Sequence, residues 1–247
     1  MQVVRRIGAL VGLLLAATVL GLVVWAQSGP APESVVNGSL QDSAAVLVDD
    51  DPWLSFRPAE PRSVGLILYP GGRVDPESYA PLANRIARQG FTVVVPDMPL
   101  KLAIFGSGRA TAIIDAFPEV DRWVLGGHSL GGAMAVSYID NHPGAIDGLL
   151  LWAAYPAESA DISDEDLFAT AISGTADGIV SFEEVGDARD RLPATYEIVP
   201  IHGGNHAGFG AYGPQDGDGD ATIDRDDQWD LIVAASVRLL ERVEVAP

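Results

Sequence analysis

Ser129 lies in the segment Gly126-Gly127-His128-Ser129-Leu130-Gly131-Gly132, which contains the pattern Gly-x-Ser-x-Gly. The run Arg122–Leu125 before it suits a strand, and Ala133–Val136 after it suits a buried helix. At such a turn the serine takes a strained backbone conformation that lifts its hydroxyl clear of the sheet, and the flanking glycines allow close backbone approach. We therefore predict that Ser129 is a nucleophile. A glycine-rich helix start, packed on the sheet without catalytic role, is the structural alternative.

A serine hydroxyl needs a base to accept its proton and a third group to hold that base. Asp177 follows the predicted strand Thr170–Ser173 in a loop with several glycines, and His202 and His206 follow the predicted strand Thr195–Val199. The carboxyl ends of parallel strands share one edge of a sheet, where ligands bind. These side chains are therefore candidates for the orienting acid and the base.

The choice among neighbouring candidates rests on local sequence. Gly203 and Gly204 would let the loop swing His206 over the sheet edge, which favours it over His202. The acidic cluster of Asp161, Asp164 and Glu165 is interpreted as a solvated loop or helix start. His128, next to the nucleophile in a tight turn, is predicted to pack or to line the pocket.

The elements that must position these residues alternate along the chain from about Ala44 onward. This alternation predicts an α/β fold with a mostly parallel sheet and helices on both faces. The predicted strands are Ala45–Val48, Trp53–Arg57, Val64–Tyr69, Phe91–Val95, Arg122–Leu125, Gly148–Trp152, Thr170–Ser173 and Thr195–Val199. The predicted helices are Pro76–Gln89, Gly108–Ala116, Leu130–Asn141, Phe182–Arg191 and Gln228–Val243. The first two strands have no helix between them, which predicts a hairpin at the sheet edge.

The order Ser129, Asp177, His206 is also the order found in α/β-hydrolases. The sequence resembles that superfamily, and within it the small lidless group related to dienelactone hydrolases, over about Val46 to Val243. The motifs that carry the resemblance are Tyr69-Pro70-Gly71-Gly72, Gly126–Gly132, Gly174–Gly178 and Gly204–His206. The resemblance implies a three-layer fold with an eight-stranded sheet, and it implies Ser129 as nucleophile, His206 as general base and then acid, and Asp177 as the orienting carboxylate.

Two backbone N–H donors are expected to stabilise the oxyanion of a tetrahedral intermediate. Leu130, which follows the nucleophile, supplies one donor. Alignment with the family assigns the second to Gly72, with Arg73 in reserve; a plain Pro-Gly turn is the alternative for this loop. The Arg73 side chain could meet a substrate carboxylate, or it could form a surface ion pair with Asp75 or Glu77.

Composition limits the functions that remain. The chain has 247 residues, and 15 Lys and Arg against 34 Asp and Glu give a net charge of -19, which disfavours nucleic acid as a partner. The absence of cysteine excludes disulfides, thiolate metal sites and a cysteine nucleophile. We therefore expect a serine hydrolase acting on a small carboxylic ester or lactone, without a required cofactor. The alternative is a catalytically inactive surface binding protein with the same fold, for which calcium is a candidate ligand.

The acidic loop Asp216–Asp227 gives the calcium hypothesis its basis. Carboxylates at loop positions 1, 3, 5, 9 and 12, as in an EF-hand loop, come from Asp216, Asp218, Asp220, Asp224 and Asp227. Ala221 stands where such loops need glycine, and the last ligand is aspartate instead of glutamate. A solvated loop that caps the final helix with Asp224 and Asp226 explains the same residues.

The N-terminal region predicts an extracytoplasmic location. Arg5 and Arg6 precede the apolar run Ile7–Ala26, whose 20 residues would span roughly 30 Å as a helix. This run is either an uncleaved signal anchor or a signal peptide cut after Ala26. The predicted organisation is residues 1–27 as anchor or signal, 28–43 as a flexible linker and 44–247 as the hydrolase domain, either membrane-anchored or secreted.

Overall fold

A computed structural model of the chain describes residues 2–246, with side chains described from residue 15 onward. The N-terminal α1 (Gln2–Gln27) is helical. Within the described part of the chain, no helix combines the length and apolar character needed to cross a membrane. The membrane span predicted over Ile7–Ala26 is therefore not confirmed, and the side chains of its first residues, 7–14, lie outside the described ones.

Eight strands form one sheet, which confirms the predicted strand number. They are β1 (Val46–Asp49), β2 (Leu54–Pro58), β3 (Val64–Tyr69), β4 (Thr92–Val95), β5 (Arg122–His128), β6 (Gly148–Trp152), β7 (Phe168–Gly174) and β8 (Glu197–Ile201). Their order in the sheet is β1-β2-β4-β3-β5-β6-β7-β8. β2 pairs antiparallel with β1 and β4, and every other pair is parallel. The predicted hairpin at the sheet edge is thus present.

The helices cover both faces of the sheet. They are α2 (Ala80–Ala87), α3 (Arg109–Ala116), α4 (Leu130–Asn141), α5 (Phe182–Asp187) and α6 (Arg225–Glu244). Side chains alternate along β3, so that Leu66 and Leu68 pack with α2 and α6, whereas Ile67 and Tyr69 pack with α3 and α4. This alternation makes two cores, one on each face, and confirms the predicted three-layer architecture.

Residues 28–43 pack on the domain, in contrast to the flexible linker predicted there. They contain a short 3-10 helix, Ser34–Gly38, whose Val36 is buried in one of the two cores. The Glu33 N–H donates to the Ala211 carbonyl at 2.8 Å, and Asn84 Nδ2 donates to the Ser39 carbonyl at 3.1 Å. The Ser, Pro, Gly and Asn content suggested a tether, but one apolar side chain and these bonds anchor the segment.

Candidate active site

Ser129 occupies the sharp turn between β5 and α4. Its backbone angles, φ 52° and ψ −121°, fall in a region that residues with a side chain rarely adopt. Its N–H donates to the Trp152 carbonyl at 3.0 Å, which ties the turn to the end of β6. The surrounding structure therefore holds a strained conformation that leaves this side chain partly exposed.

The glycines of this turn are required by close backbone packing. A Cβ atom on Gly131 would lie 2.2 Å from the Tyr69 carbonyl oxygen, and one on Gly127 would lie 2.3 Å from the Gly131 carbonyl carbon. The start of α4 is thereby pressed against both its own strand and the end of β3. This packing brings Leu130 beside the loop that follows β3.

His206 and Asp177 form a buried hydrogen-bonded pair at the same edge of the sheet. His206 Nδ1 lies 2.8 Å from Asp177 Oδ2, and both side chains are almost wholly shielded from solvent. The other oxygen, Oδ1, accepts the N–H groups of Ile179 and Val180, both at 2.8 Å. A carboxylate fixed in this way accepts a hydrogen from Nδ1, which leaves Nε2 of His206 as a proton acceptor.

Nε2 of His206 is buried and has no hydrogen-bond partner in the described part of the chain. No hydrogen bond therefore joins it to Ser129 Oγ in this structure. The loop after β8 nevertheless folds back over the turn, since the His206 ring lies 4.5 Å from the ring of His128, the residue before Ser129. Catalytic hydrogen bonds are often longer without substrate and tighten when it binds.

Hydrogen bonding in the loop after β3 distinguishes the two candidate oxyanion donors there. The Gly71 N–H donates to Tyr79 Oη at 2.9 Å, and the Arg73 N–H donates to the Lys101 carbonyl at 2.7 Å. The Gly72 N–H lies between them and makes no hydrogen bond within the described residues, nor does that of Leu130. The two residues are adjacent, since a Cβ on Gly72 would lie 3.3 Å from Leu130 Cδ2. This arrangement favours Gly72, and the reserve assignment of Arg73 is not supported.

The Arg73 side chain turns toward the N-terminal segment. Its guanidinium stacks over the Trp25 ring at 4.6 Å, and one of its nitrogens donates to Ser28 Oγ at 3.0 Å. The ion pair predicted with Asp75 or Glu77 is absent among the described residues, because Asp75 pairs with Lys101 at 2.9 Å instead.

His128 and Tyr79 connect the nucleophile turn to the oxyanion loop, a contact that sequence reasoning missed. Tyr79 Oη accepts the Gly71 N–H and lies 2.9 Å from His128 Nδ1. Burial raises the pKa of Tyr79, so its hydroxyl stays protonated and can donate to His128. Burial also lowers the pKa of His128 well below 6.5, and the neighbouring His206 lowers it further. His128 is therefore a neutral, buried side chain that supports the loop.

The neutral state of His128 predicts a specific loss of stability in acid. The unfolded chain takes up a proton at this residue below about pH 6.5 while the folded chain does not, so the free energy of unfolding falls as pH drops. Between about pH 6 and 5, the advantage of the wild type over His128→Asn should shrink by roughly 1.4 kcal/mol per pH unit. Urea unfolding of both proteins at several pH values measures this difference. A difference that stays constant with pH would contradict the prediction.

The carboxylates of the acidic loop Asp216–Asp227 do not lie close together. The described part of the chain contains no group of three or more His, Asp or Glu side chains arranged to hold a metal ion. Asp218 points inward and accepts main-chain N–H groups, whereas Asp216, Asp220, Asp224 and Asp227 are exposed. Asp224 takes the N-cap position of α6, as the capping interpretation expects, but its side chain makes no cap hydrogen bond.

The other candidates for the base and the acid lie away from the His206–Asp177 pair. His202 is exposed, whereas His206 is buried. In the acidic cluster, Asp161 accepts the N–H of Ser163, and Glu165 accepts that of Gly144. The structure thus brings Asp177 and His206 together and leaves these alternatives on the surface.

A small cleft opens beside Ser129. Its volume is about 290 Å³, and its lining is largely apolar. The lining residues are Ser129, Leu130, Ala133, Ala154, Tyr155, Pro156, Ala157 and Val180. Tyr155 Oη donates to Glu184 Oε1 at 3.2 Å, which links the segment after β6 to α5. The cleft is of a size to hold a short aliphatic or small aromatic group.

Comparisons with known proteins agree with this architecture. The crystal structure of a predicted CIB-like hydrolase from Thermoplasma acidophilum, at 1.45 Å resolution, superposes with a TM-score of 0.55 and 16% sequence identity. The match covers 79% of this chain and 99% of the other, and at this identity it shows the fold alone. No protein of curated function matches the chain significantly. The family model described as "Alpha/beta hydrolase family" matches residues 65–230, well over half of the chain. The chain therefore belongs to the alpha/beta hydrolase family.

Proposed function

We propose that this hydrolase is a serine hydrolase that cleaves a small carboxylic ester or lactone through an acyl-enzyme. The observation that carries the proposal is the buried His206–Asp177 hydrogen bond of 2.8 Å, which leaves Nε2 as an acceptor at the edge of the sheet where Ser129 lies. The strained backbone of Ser129 and the unengaged N–H groups of Gly72 and Leu130 support the same conclusion.

The proposed reaction has two steps. Ser129 Oγ attacks the carbonyl carbon of the ester while His206 Nε2 accepts its proton, and the N–H groups of Gly72 and Leu130 stabilise the negative carbonyl oxygen. The imidazolium, held by Asp177, then gives its proton to the leaving alkoxide, so that an alcohol departs and the acyl group remains on Oγ. Water, deprotonated by His206, attacks this acyl group in the same way, and the carboxylic acid leaves as Oγ regains its proton.

The cleft beside Ser129 limits the acyl groups that this site would accept. Each methylene that enters an apolar cleft contributes about 0.8 kcal/mol, but a methylene that remains outside contributes almost nothing. A space of about 290 Å³ lies at the lower end of the range for ligand pockets, which limits the length of chain that the cleft can hold. We therefore expect binding to improve over the first few carbons and then to stop improving.

A series of p-nitrophenyl esters from acetate to decanoate tests this function. We expect kcat/KM to rise over the first few acyl carbons and then to level off toward the decanoate. A kcat/KM that rises steadily to the longest chain would contradict the size argument. No hydrolysis anywhere in the series would favour the non-catalytic binding role.

A further inference from the structure

The carboxylate of Asp218 contacts both loops that carry the buried pair. These are the loop after β7, which carries Asp177, and the loop after β8, which carries His206. Four main-chain N–H groups donate to it: those of Gly178, His206 and Gly219, at 3.1, 3.1 and 2.8 Å from Oδ1, and that of Ala207, at 2.8 Å from Oδ2. One donor thus adjoins Asp177, and two belong to His206 and its neighbour.

Glycine packing holds the segment around Asp218 against the loop of Asp177. A Cβ atom on Gly219 would lie 2.0 Å from the Ala176 carbonyl oxygen, and one on Gly178 would lie 2.6 Å from the Gly217 carbonyl oxygen. These distances leave no room for a side chain, so the backbones touch directly. Asn205 Nδ2 also donates to the Gly219 carbonyl at 2.8 Å, which joins the same segment to the loop of His206.

The alignment of His206 with Asp177 depends on two loops that are far apart in the chain. Outside the bond between His206 and Asp177, two hydrogen bonds link these loops directly: the Ala176 N–H donates to the Gly204 carbonyl, and the Gly203 N–H donates to Thr175 Oγ1, both at 2.9 Å. Hydrogen bonds that end on a carboxylate are stronger than those between neutral groups. A carboxylate that accepts donors from both loops is therefore well suited to fix their separation.

We propose that Asp218 is a positioning residue of the hydrolase: its carboxylate holds the backbones of both loops so that the His206 ring meets the Asp177 carboxylate and Nε2 remains the atom that accepts the Ser129 proton. This inference rests on the proposed function, because it assigns Asp218 an effect on proton transfer. The residue does not touch the substrate cleft, whose lining contains no part of the loop 216–220. Its removal should therefore slow turnover without weakening substrate binding.

Asp218→Asn tests the proposal against Asp220→Asn as a matched control. Asparagine replaces one acceptor oxygen with an NH₂ group, which is a hydrogen-bond donor. The single remaining oxygen cannot accept both sets of N–H donors. Asp220 lies two residues away and is exposed, its side chain makes no hydrogen bond with the described residues, and its substitution changes the charge equally. We expect Asp218→Asn to lower kcat for a short p-nitrophenyl ester by about 10- to 100-fold with KM within twofold, and Asp220→Asn to keep both near wild type.

Two further readouts separate positioning from a loss of folded protein. Labelling with a fluorophosphonate should still reach one adduct per chain in Asp218→Asn, but with a rate constant reduced in step with kcat. The downfield proton resonance of the His206 Nδ1–H should shift or broaden in Asp218→Asn and stay unchanged in Asp220→Asn. If Asp218→Asn does not fold, Asp218→Ser, which retains one acceptor oxygen, should give the same pattern in the same assays.

The proposal is overturned if Asp218→Asn matches Asp220→Asn in kcat and labelling rate. It is also overturned if only the labelled fraction falls while kcat per labelled chain is unchanged, since that is the signature of lost folded protein. Failure of the wild type to hydrolyse any ester and to label at all would overturn the proposed function itself. The two failures are therefore distinguishable.

Discussion

Replacing Ser129 by alanine is expected to lower kcat for a short-chain ester by about 10⁴-fold or more. The variant loses the only oxygen at the turn that could attack the ester, while the backbone donors of Gly72 and Leu130 remain for binding. KM should change little, because the apolar cleft that contains the acyl group is retained. Steady-state kinetics with p-nitrophenyl butyrate measures both constants.

Ser137→Ala is the matched control for this substitution. Ser137 lies two turns along α4, where its Oγ donates to the Ala133 carbonyl at 3.1 Å, and it does not line the cleft. Its removal should leave kcat near the wild-type value. Turnover by Ser129→Ala within tenfold of wild type would show that another group attacks the substrate.

Asp177→Asn is expected to lower kcat by about 10⁴-fold, although the fold should be retained. Asparagine can keep its oxygen toward the N–H groups of Ile179 and Val180, which now bond to Oδ1. Its NH₂ group would then face His206 Nδ1, and the imidazole would carry its proton on Nε2 instead. In that tautomer Nε2 cannot accept the Ser129 proton.

The same change of charge at Asp187 provides the control. Asp187 is an exposed residue at the end of α5, and Asp187→Asn should retain wild-type kinetics and thermal stability. The pH dependence of kcat gives a second check. The activity of Asp177→Asn should rise at high pH, because hydroxide then removes the proton that His206 cannot accept in the wrong tautomer. A loss below tenfold in Asp177→Asn would contradict the role assigned to this carboxylate.

Much of the sheet could be predicted from local sequence. β3, β6 and α4 have the predicted bounds: Pro70 follows β3, Asp147 precedes β6, and Pro143 comes shortly after α4. β5 extends three residues past the predicted end at Leu125, since Gly126 and Gly127 continue the pairing with β6 opposite Leu150 and Leu151. Glycine has low strand preference on its own, so the neighbouring strands β3 and β6 determine that extension.

The contact between Asp177 and His206 was predictable because parallel topology brings the ends of β7 and β8 together. The residues that support this contact could not be predicted from the sequence. Asp218, 12 residues after His206, accepts that residue's N–H, and Tyr79 is 49 residues from its partner His128. Spacing within the loop 216–227 matches a calcium pattern, but the inward turn of Asp218 depends on the loops against which it packs.

The packing of residues 28–43 on the domain shows the same limit. Their composition is that of a tether, yet Val36 enters the core because α2 packs against the short 3-10 helix that carries it. This contact is formed by an element far along the chain. Composition therefore predicts the flexibility of the isolated segment and does not predict its docking.

The most direct test of the central claim is the mass-spectrometric location of a fluorophosphonate adduct on the intact protein. We expect one adduct per chain, on Ser129, with the labelling rate strongly reduced in His206→Gln. An unlabelled wild-type protein, or an adduct at another residue with Ser129 unmodified, would contradict it.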